Sequence, residues 1–415
     1  MTSLYPIQRY ACWLAIPLFS LAMPSWADEA ASIAVLQQQI QALQQRLAQL
    51  EQREPVTTAV FATPPTEAAN TTTQPAIQSN TSQSSTSPVT QVRVYGQVQM
   101  DVLHDFKATA PNDVFNNLPE QPLGQAERLE NQTNVTVETS RLGVDFAVPS
   151  ELGRVKGKFE GDFYTYGDAA TRGRFRLRHA YFETDHWLIG QTGSVFSDYA
   201  HTPSTADFNG LVGSIWARRP MVRYRQSFGE AGQWWVSAER PSGNARLPNL
   251  ATRYSHQFAQ GALTVRGLLH EKRRLDDEKL GYGVGLGGHV NFTPETKLLG
   301  LYSRVVGDGD YVWGAKAMPA ADHLDFYRTD SWMLSLEHQL DPQLTAALGY
   351  SLLKTSGDTE VLTDNQQLSQ GSLSLFYTPI PKVTLGAEYL YGERETFGGD
   401  MGKMSRLGLM GRYQF

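Results

Sequence analysis

Arg406-Leu407-Gly408-Leu409-Met410-Gly411-Arg412-Tyr413-Gln414-Phe415 closes the chain. Leu407, Leu409, Gly411, Tyr413 and Phe415 share one parity; Arg406, Gly408, Met410, Arg412 and Gln414 take the other. A period of two belongs to a β-strand whose faces meet different surroundings. The run 155–163 repeats it, with Val155, Gly157, Phe159, Gly161 and Phe163 against Lys156, Lys158, Glu160 and Asp162. So does the run from Val92, with Val94, Gly96, Val98, Met100 and Val102 against Arg93, Tyr95, Gln97, Gln99 and Asp101. Soluble sandwiches also alternate, so strand length, connection length and charge placement must decide the setting.

About sixteen such segments follow one another, near 92–104, 133–147, 154–165, 173–184, 187–196, 219–228, 232–239, 250–257, 261–270, 280–292, 297–306, 327–340, 344–354, 366–377, 382–391 and 404–415. Many reach the roughly 9–11 residues that a tilted strand needs to cross hydrocarbon, against about 5–6 in most globular strands. Short connections near 149–153, 184–186, 229–232, 258–261, 293–296, 341–343 and 378–381 carry turn residues such as Pro149, Gly153, Pro294, Asp341-Pro342 and Pro379. Long ones near 105–131, 197–218, 240–249, 271–279, 307–326, 355–365 and 392–403 alternate with them. An even strand number puts all the short turns on one side, the asymmetry of a transmembrane barrel. The expected fold is therefore all-β: a transmembrane antiparallel β-barrel of about sixteen strands over residues 92–415. This resembles the outer-membrane barrels of Gram-negative bacteria. There, a final strand ending in an aromatic residue serves as the signal for the barrel-assembly machinery, a role that would fall to Tyr413 and Phe415.

Upstream the pattern changes. Arg9, the apolar stretch from Tyr10 to Met23 and the small-x-small site Ser25-Trp26-Ala27 fit a signal peptide over residues 1–27. That stretch is broken by Pro17 and too short for a spanning helix, and no later window offers one. Cys12, the one cysteine, would leave with the peptide, so no disulfide or cysteine metal site is expected. Ile33, Leu36, Ile40, Leu43, Leu47 and Leu50 recur at three and four, mostly with Gln between them. This predicts a periplasmic coiled coil over 28–54, about three heptads long. Ile at a with Leu at d favours two strands, a preference weakened by Leu47 at an a position. Pro55 stops the helix, and residues 55–91, poor in large apolar groups, are expected as a flexible linker.

Charge placement points toward function. Arg172, Arg174, Arg176 and Arg178 share one parity; Phe175 and Leu177 take the other. An Arg facing lipid at midplane costs about 2–4 kcal/mol, so the arginines should face the lumen. At ~6.6 Å per two residues, Arg174, Arg176 and Arg178 would form a ladder about 13 Å long. Lys156 and Lys158 precede it on the neighbouring strand, and Arg223 and Arg225 share a parity two strands on. Guanidinium groups bind carboxylate or phosphate bidentately and keep their charge. Alternatively the ladder pairs with Glu160, Asp162 and other wall carboxylates and holds the barrel together. The connection 197–218 is by order the third outer loop and holds Asp198, Tyr199, His201, Asp207 and Phe208. In trimeric general porins the equivalent loop narrows the pore; an exposed loop is the rival reading. Folded inward, Asp198, Tyr199 and Asp207 would form the constriction, with the carboxylates facing the basic wall. The Asp-rich loops near 276–278, 308–310 and 322–325 are expected at the surface, and the glycine run from Gly281 to Gly288 should let backbone or loops approach closely.

Other chemistries find less support. A net charge of −6 does not suit a nucleic-acid binder. The histidines lack the close spacing of a metal site, no EF-hand loop is present, and no cofactor is expected. A lipid hydrolase would need Ser and His together on the outward face; His179 and His256 have that parity but lack such partners. A structural tether to the cell wall through the coil is a further alternative.

The chain resembles the DcaP-like trimeric outer-membrane porins, a family associated with uptake of dicarboxylic acids. The resemblance rests on the Gln-rich coil, the polar tether, Val94-Tyr95-Gly96-Gln97, Ser140-Arg141-Leu142-Gly143, Arg176-Leu177-Arg178-His179-Ala180-Tyr181-Phe182-Glu183 and Gly190-Gln191-Thr192. The last element continues into Gly193-Ser194, where the family pattern has a bulkier residue. The resemblance implies a sixteen-stranded barrel, a homotrimer in outer-membrane lipid, a periplasmic coil and preference for small anionic solutes. Lys156, Lys158, Arg174, Arg176, Arg178, Arg223 and Arg225 are the expected pore-lining residues for (di)carboxylates, with phosphate as the alternative solute.

Overall fold

The computed structural model describes residues 90–107, 115–121, 123, 130–151, 153–165, 173–243, 245–274, 277–316 and 325–415. The expected signal peptide, coiled coil and linker lie outside the described residues. The strands are β1 (Gln91–Lys107), β2 (Gln132–Thr136), β3 (Arg141–Ser150), β4 (Gly153–Asp162), β5 (Arg176–Glu183), β6 (Trp187–Gly193), β7 (Arg218–Phe228), β8 (Gly232–Glu239), β9 (Asn249–Phe258), β10 (Gly261–Arg274), β11 (Asp277–Asn291), β12 (Thr296–Val306), β13 (Arg328–Asp341), β14 (Leu344–Ser356), β15 (Asn365–Ile380), β16 (Val383–Thr396) and β17 (Met401–Gln414). Each pairs antiparallel with its neighbour, and β1 pairs with β17, so the sheet closes. β2 and β3 both pair with β1 and are one strand broken at a turn. The wall is thus a closed sixteen-strand barrel. At the break, the Thr139 hydroxyl donates to Asp101 at 2.7 Å, and Ser140 takes up the backbone of Gln99.

The expected parities hold along most of the wall. Val94, Met100, Phe159, Leu334, Leu348, Leu373 and Leu409 point outward and are exposed, whereas Gln99, Asp101, Ser303, Ser351 and Ser374 on the alternate parity are buried. Phe415 closes the seam. Its N–H donates to the Gly96 carbonyl at 3.1 Å, Gly96 N–H returns the bond at 3.3 Å, and its ring lies where a Cβ of Gly96 would sit.

Two connections are tighter than expected. β10 and β11 stay paired up to Arg274 and Asp277, so 271–279 is mostly strand. β16 reaches Thr396 and β17 starts at Met401, leaving four loop residues. Asp308 is no surface residue. The loop after β12 turns inward, burying Asp308 and Tyr311 completely. Tyr311-Val312-Trp313 supplies the apolar surface that makes this favourable.

Candidate functional site

Three loop segments fill one side of the lumen. They are residues 115–121, 194–217 and 307–316. Leu118, Phe196, Leu211, Val212, Ile215, Tyr311 and Val312 pack on inward-facing Trp235, Leu268, Leu301, Met333, Leu353 and Leu368. Apolar side chains on the lumen parity of β8 to β17 thus serve as a platform for the loops. The third outer loop does fold inward. Its residues Ile215 and Gly213 meet the loop after β12 through a β-bridge to Val312 and a 2.7 Å bond to the Trp313 carbonyl. Across the lumen, Ala206 and Asp207 N–H groups donate to Glu388 on β16, and Val212 N–H donates to Gln370 on β15.

The glycine run of β11 performs the expected close approach. Built Cβ atoms at Gly283, Gly285 and Gly287 would lie 2.8 Å from Phe196, 2.6 Å from the Arg266 guanidinium and 2.2 Å from the Asp198 carboxylate. The groove seats the start of the loop. Asp198 there accepts from His201 at 2.9 Å and lies 3.6 Å from Arg266. Asp207 accepts the backbone N–H groups of Asn116 and Asn209 and meets Arg406 at 3.1 Å. Both carboxylates are buried and neutralised. Asp198 is held by His201 and Arg266, and Asp207, which borders the same cavity as Arg178, by Arg406; among the described residues neither forms an ion pair with the ladder arginines. The loop presents Phe208 instead, whose ring lies 5.8 Å and 6.0 Å from the Arg176 and Arg178 guanidinium carbons. Tyr199 is half exposed, its hydroxyl 3.3 Å from the Ala217 carbonyl. Gly193 permits this, because a Cβ there would sit 2.8 Å from the Tyr199 ring. That accounts for the small residue in the Gly193-Ser194 departure.

The ladder itself is shorter and more neutralised than expected. Arg174 is exposed and precedes β5, so it stands above the wall and not in it. Arg176 forms a bidentate pair with Asp162 at 2.8 and 2.7 Å. Arg178 bridges Glu160 and Asp162 at 2.8 and 2.7 Å. Lys158 meets Asp145 at 3.1 Å and Tyr95 Oη at 2.9 Å. Arg223 meets Glu183 at 3.1 Å, and Arg225 donates to the Asp185 carbonyl near the opposite end of the wall. Lys156 is exposed on the lumen parity. Much of the pairing reading therefore holds. Arg178 is also the extra residue of a bulge: Glu160 opposes His179 while Gly161 opposes Leu177. The bulge reverses parity, so His179 faces inward, 2.9 Å from Thr192 and 3.9 Å from Glu160, and not outward as its sequence position suggests.

Between this wall and the third loop lies a cavity of about 430 Å³. Gln99, Arg141, Arg178, Arg218 and Arg412 border it, with Tyr199, Phe208 and Trp216 on the loop side. Arg141 lies 3.5 Å from Glu160. Among the described residues, Arg218 and Arg412 have no carboxylate within ion-pair reach. The sequence reading did not single out Arg141, Arg218 and Arg412. Arg412 was legible, since it takes the lumen parity of the terminal strand; Arg218 is set by the end of an irregular loop and carried no such signal.

No curated protein sequence matches the chain. Among solved structures it is similar to the outer membrane channel DcaP of Acinetobacter baumannii, at 29% identity and TM-score 0.73, covering 79% of this chain and 97% of that one. OmpT of Vibrio cholerae (14% identity, TM-score 0.54, 80% and 99% coverage) shares the fold. So does an anion-selective porin from Comamonas acidovorans (13%, 0.53, 79% and 100%). The family model for DcaP outer membrane protein matches residues 20–415. With the closed barrel and its inward third loop, this match places the chain in the DcaP outer membrane protein family.

Proposed function

We propose that this porin passes small anions, foremost (di)carboxylates, by diffusion through the passage between the third loop and the basic wall. The observation that carries the reading is the pair Arg218 and Arg412, which have no carboxylate within ion-pair distance among the described residues and feel Asp162 and Asp101 only at longer range. Arg141 and Arg178 stand beside them but share Glu160 and Asp162. Guanidiniums without a direct ion-pair partner in a narrow, low-dielectric passage concentrate anions and replace lost hydration. A dicarboxylate could engage two such groups in turn, each by a forked pair of hydrogen bonds. The Lys156, Lys158, Arg223 and Arg225 positions would extend the positive path toward the periplasm. Arg174 would act at the outer mouth.

Assembly as a homotrimer in outer-membrane lipid, with a periplasmic coil, belongs to the same reading. OmpT of Vibrio cholerae, which shares the fold, has been solved in a trimer form. Tyr413 and Phe415 would serve the barrel-assembly machinery.

The test is the reversal potential of the reconstituted protein in a salt gradient. The wild type should favour chloride, and R218A/R412A should move toward cations. Succinate should reduce chloride current more than phosphate does. Cation preference in the wild type, or an unmoved double variant, would overturn the proposal.

A further inference from the structure

We propose a binding site for a phosphorylated glycolipid headgroup of the outer leaflet on the outward face of β12, β13 and β14. The strand register sets Arg304, Asp330 and Lys354 side by side in one row, and Arg328 stands two residues above Asp330. All four share the outward parity with Trp332, Leu334 and Tyr350, which are exposed to the lipid side. The row lies at the upper ends of these strands, beside the loop that follows β12. The short turns 292–295 and 342–343 lie at the other end.

Three cations surround a single carboxylate. Arg304 Nε donates to Asp330 at 2.7 Å, and Arg328 Nε lies 3.6 Å from it. Tyr302 Oη donates to the same carboxylate at 2.7 Å, and Asp330 is nearly buried beneath these groups. The terminal nitrogens of Arg304 have no partner among the described residues, and neither does the exposed Lys354. The cluster therefore keeps two uncompensated positive charges directed outward. Two other outward cations near this rim have carboxylate partners: Lys403 pairs with Glu393 at 3.0 Å, and Arg273 lies 3.8 Å from Glu278.

One row below, Tyr302 and Trp332 pack with ring centroids 5.5 Å apart. Such aromatic residues mark the boundary between hydrocarbon and headgroups. The cations thus stand at headgroup depth, above a band that meets acyl chains. Guanidinium and ammonium groups there suit a phosphate monoester, with the forked Arg geometry supplying direction. Lipid is favoured over free phosphate because the basic row and the apolar band are continuous on one face.

The purified full-length protein in detergent, examined by native mass spectrometry with bisphosphorylated lipid A, tests this. R304Q/R328Q/K354Q should bind it at least about tenfold more weakly, and K403Q should match the wild type. The wild type should prefer bisphosphorylated over fully dephosphorylated lipid A, and millimolar inorganic phosphate should not displace the lipid. Equal binding by the triple variant, no preference between the two lipids, or displacement by phosphate overturns the proposal. Heat-modified gel migration and channel conductance report folding. Should the triple variant misfold, K354Q, which removes no internal contact, should still bind several-fold more weakly; unchanged binding overturns the site.

Discussion

Arg406, on the last strand, and Asp207, near the tip of the inward loop, meet at 3.1 Å with both side chains only 1% exposed. The same guanidinium holds Asp105 of the first strand at 2.7 and 2.9 Å. One residue thus ties the loop to both strands at the seam. Removing one partner of a buried pair leaves uncompensated charge, at a cost of about 3–5 kcal/mol. R406L should lower the denaturation midpoint of the folded protein by a corresponding amount and make single-channel current noisier. A midpoint and noise level equal to wild type would show that the tie contributes nothing.

Arg178 separates a structural from an electrostatic role. Its loss would leave Glu160 and Asp162 each with one cationic partner fewer. R178A should therefore shift the reversal potential toward cations, and R178Q/E160Q should return most of that shift. If the double variant behaves like R178A, the carboxylates are not what Arg178 masks.

Gly287 offers a steric test of how the third loop is seated. A Cβ there would come 2.2 Å from Asp198 Oδ2 and 3.0 Å from His201 Nδ1. G287V should keep the ladder but displace the loop, costing about 1–3 kcal/mol as overpacking does, and change conductance. G300V is the control, because its nearest neighbour is the Leu334 methyl at 4.0 Å. Equal conductance in the two variants would remove the glycine groove as the loop's seat.

The sequence made the barrel legible because lipid and water impose opposite demands on alternate residues, as at 155–163 and 406–415. The Gly281–Gly288 run was legible as a place of close approach for a related reason: no side chain fills that face. The bulge at Arg178 was not legible. One extra residue reverses parity without any change of composition, and so His179 was read on the wrong face. The inward turn of Tyr311-Val312-Trp313 was masked by Asp308 and Asp310, whose charges suggested water. Lys272, 3.0 Å from Asp308, and Arg219, 3.8 Å away, supply the compensation from distant strands.

Acid should loosen the third loop only far below neutrality. Burial pushes the Asp198 carboxyl up, but the His201 hydrogen bond and the nearby Arg266 and Arg253 outweigh this and hold it below the usual carboxylate range. A carboxylate depressed in the folded state stabilises above its unfolded value, and that contribution is lost as pH falls through the folded value. With an ordinary Asp near ~3.9, conductance should stay constant down to about pH 4 and become unsteady in stronger acid. D198N should show that unsteadiness already at neutral pH. Onset in the wild type well above pH ~5, or a quiet D198N channel, contradicts the assignment.

The bonds between Gly96 and Phe415 join positions more than three hundred residues apart. They belong to the pairing of β17 with β1, so a chain without β17 leaves this edge of β1 without its partner. Until β1 and β17 pair, both display bare amide edges, which recruit foreign strands readily. The contact between Gly96 and Phe415 is thus also a guard on two edges at once: each ladder hides the other from strangers.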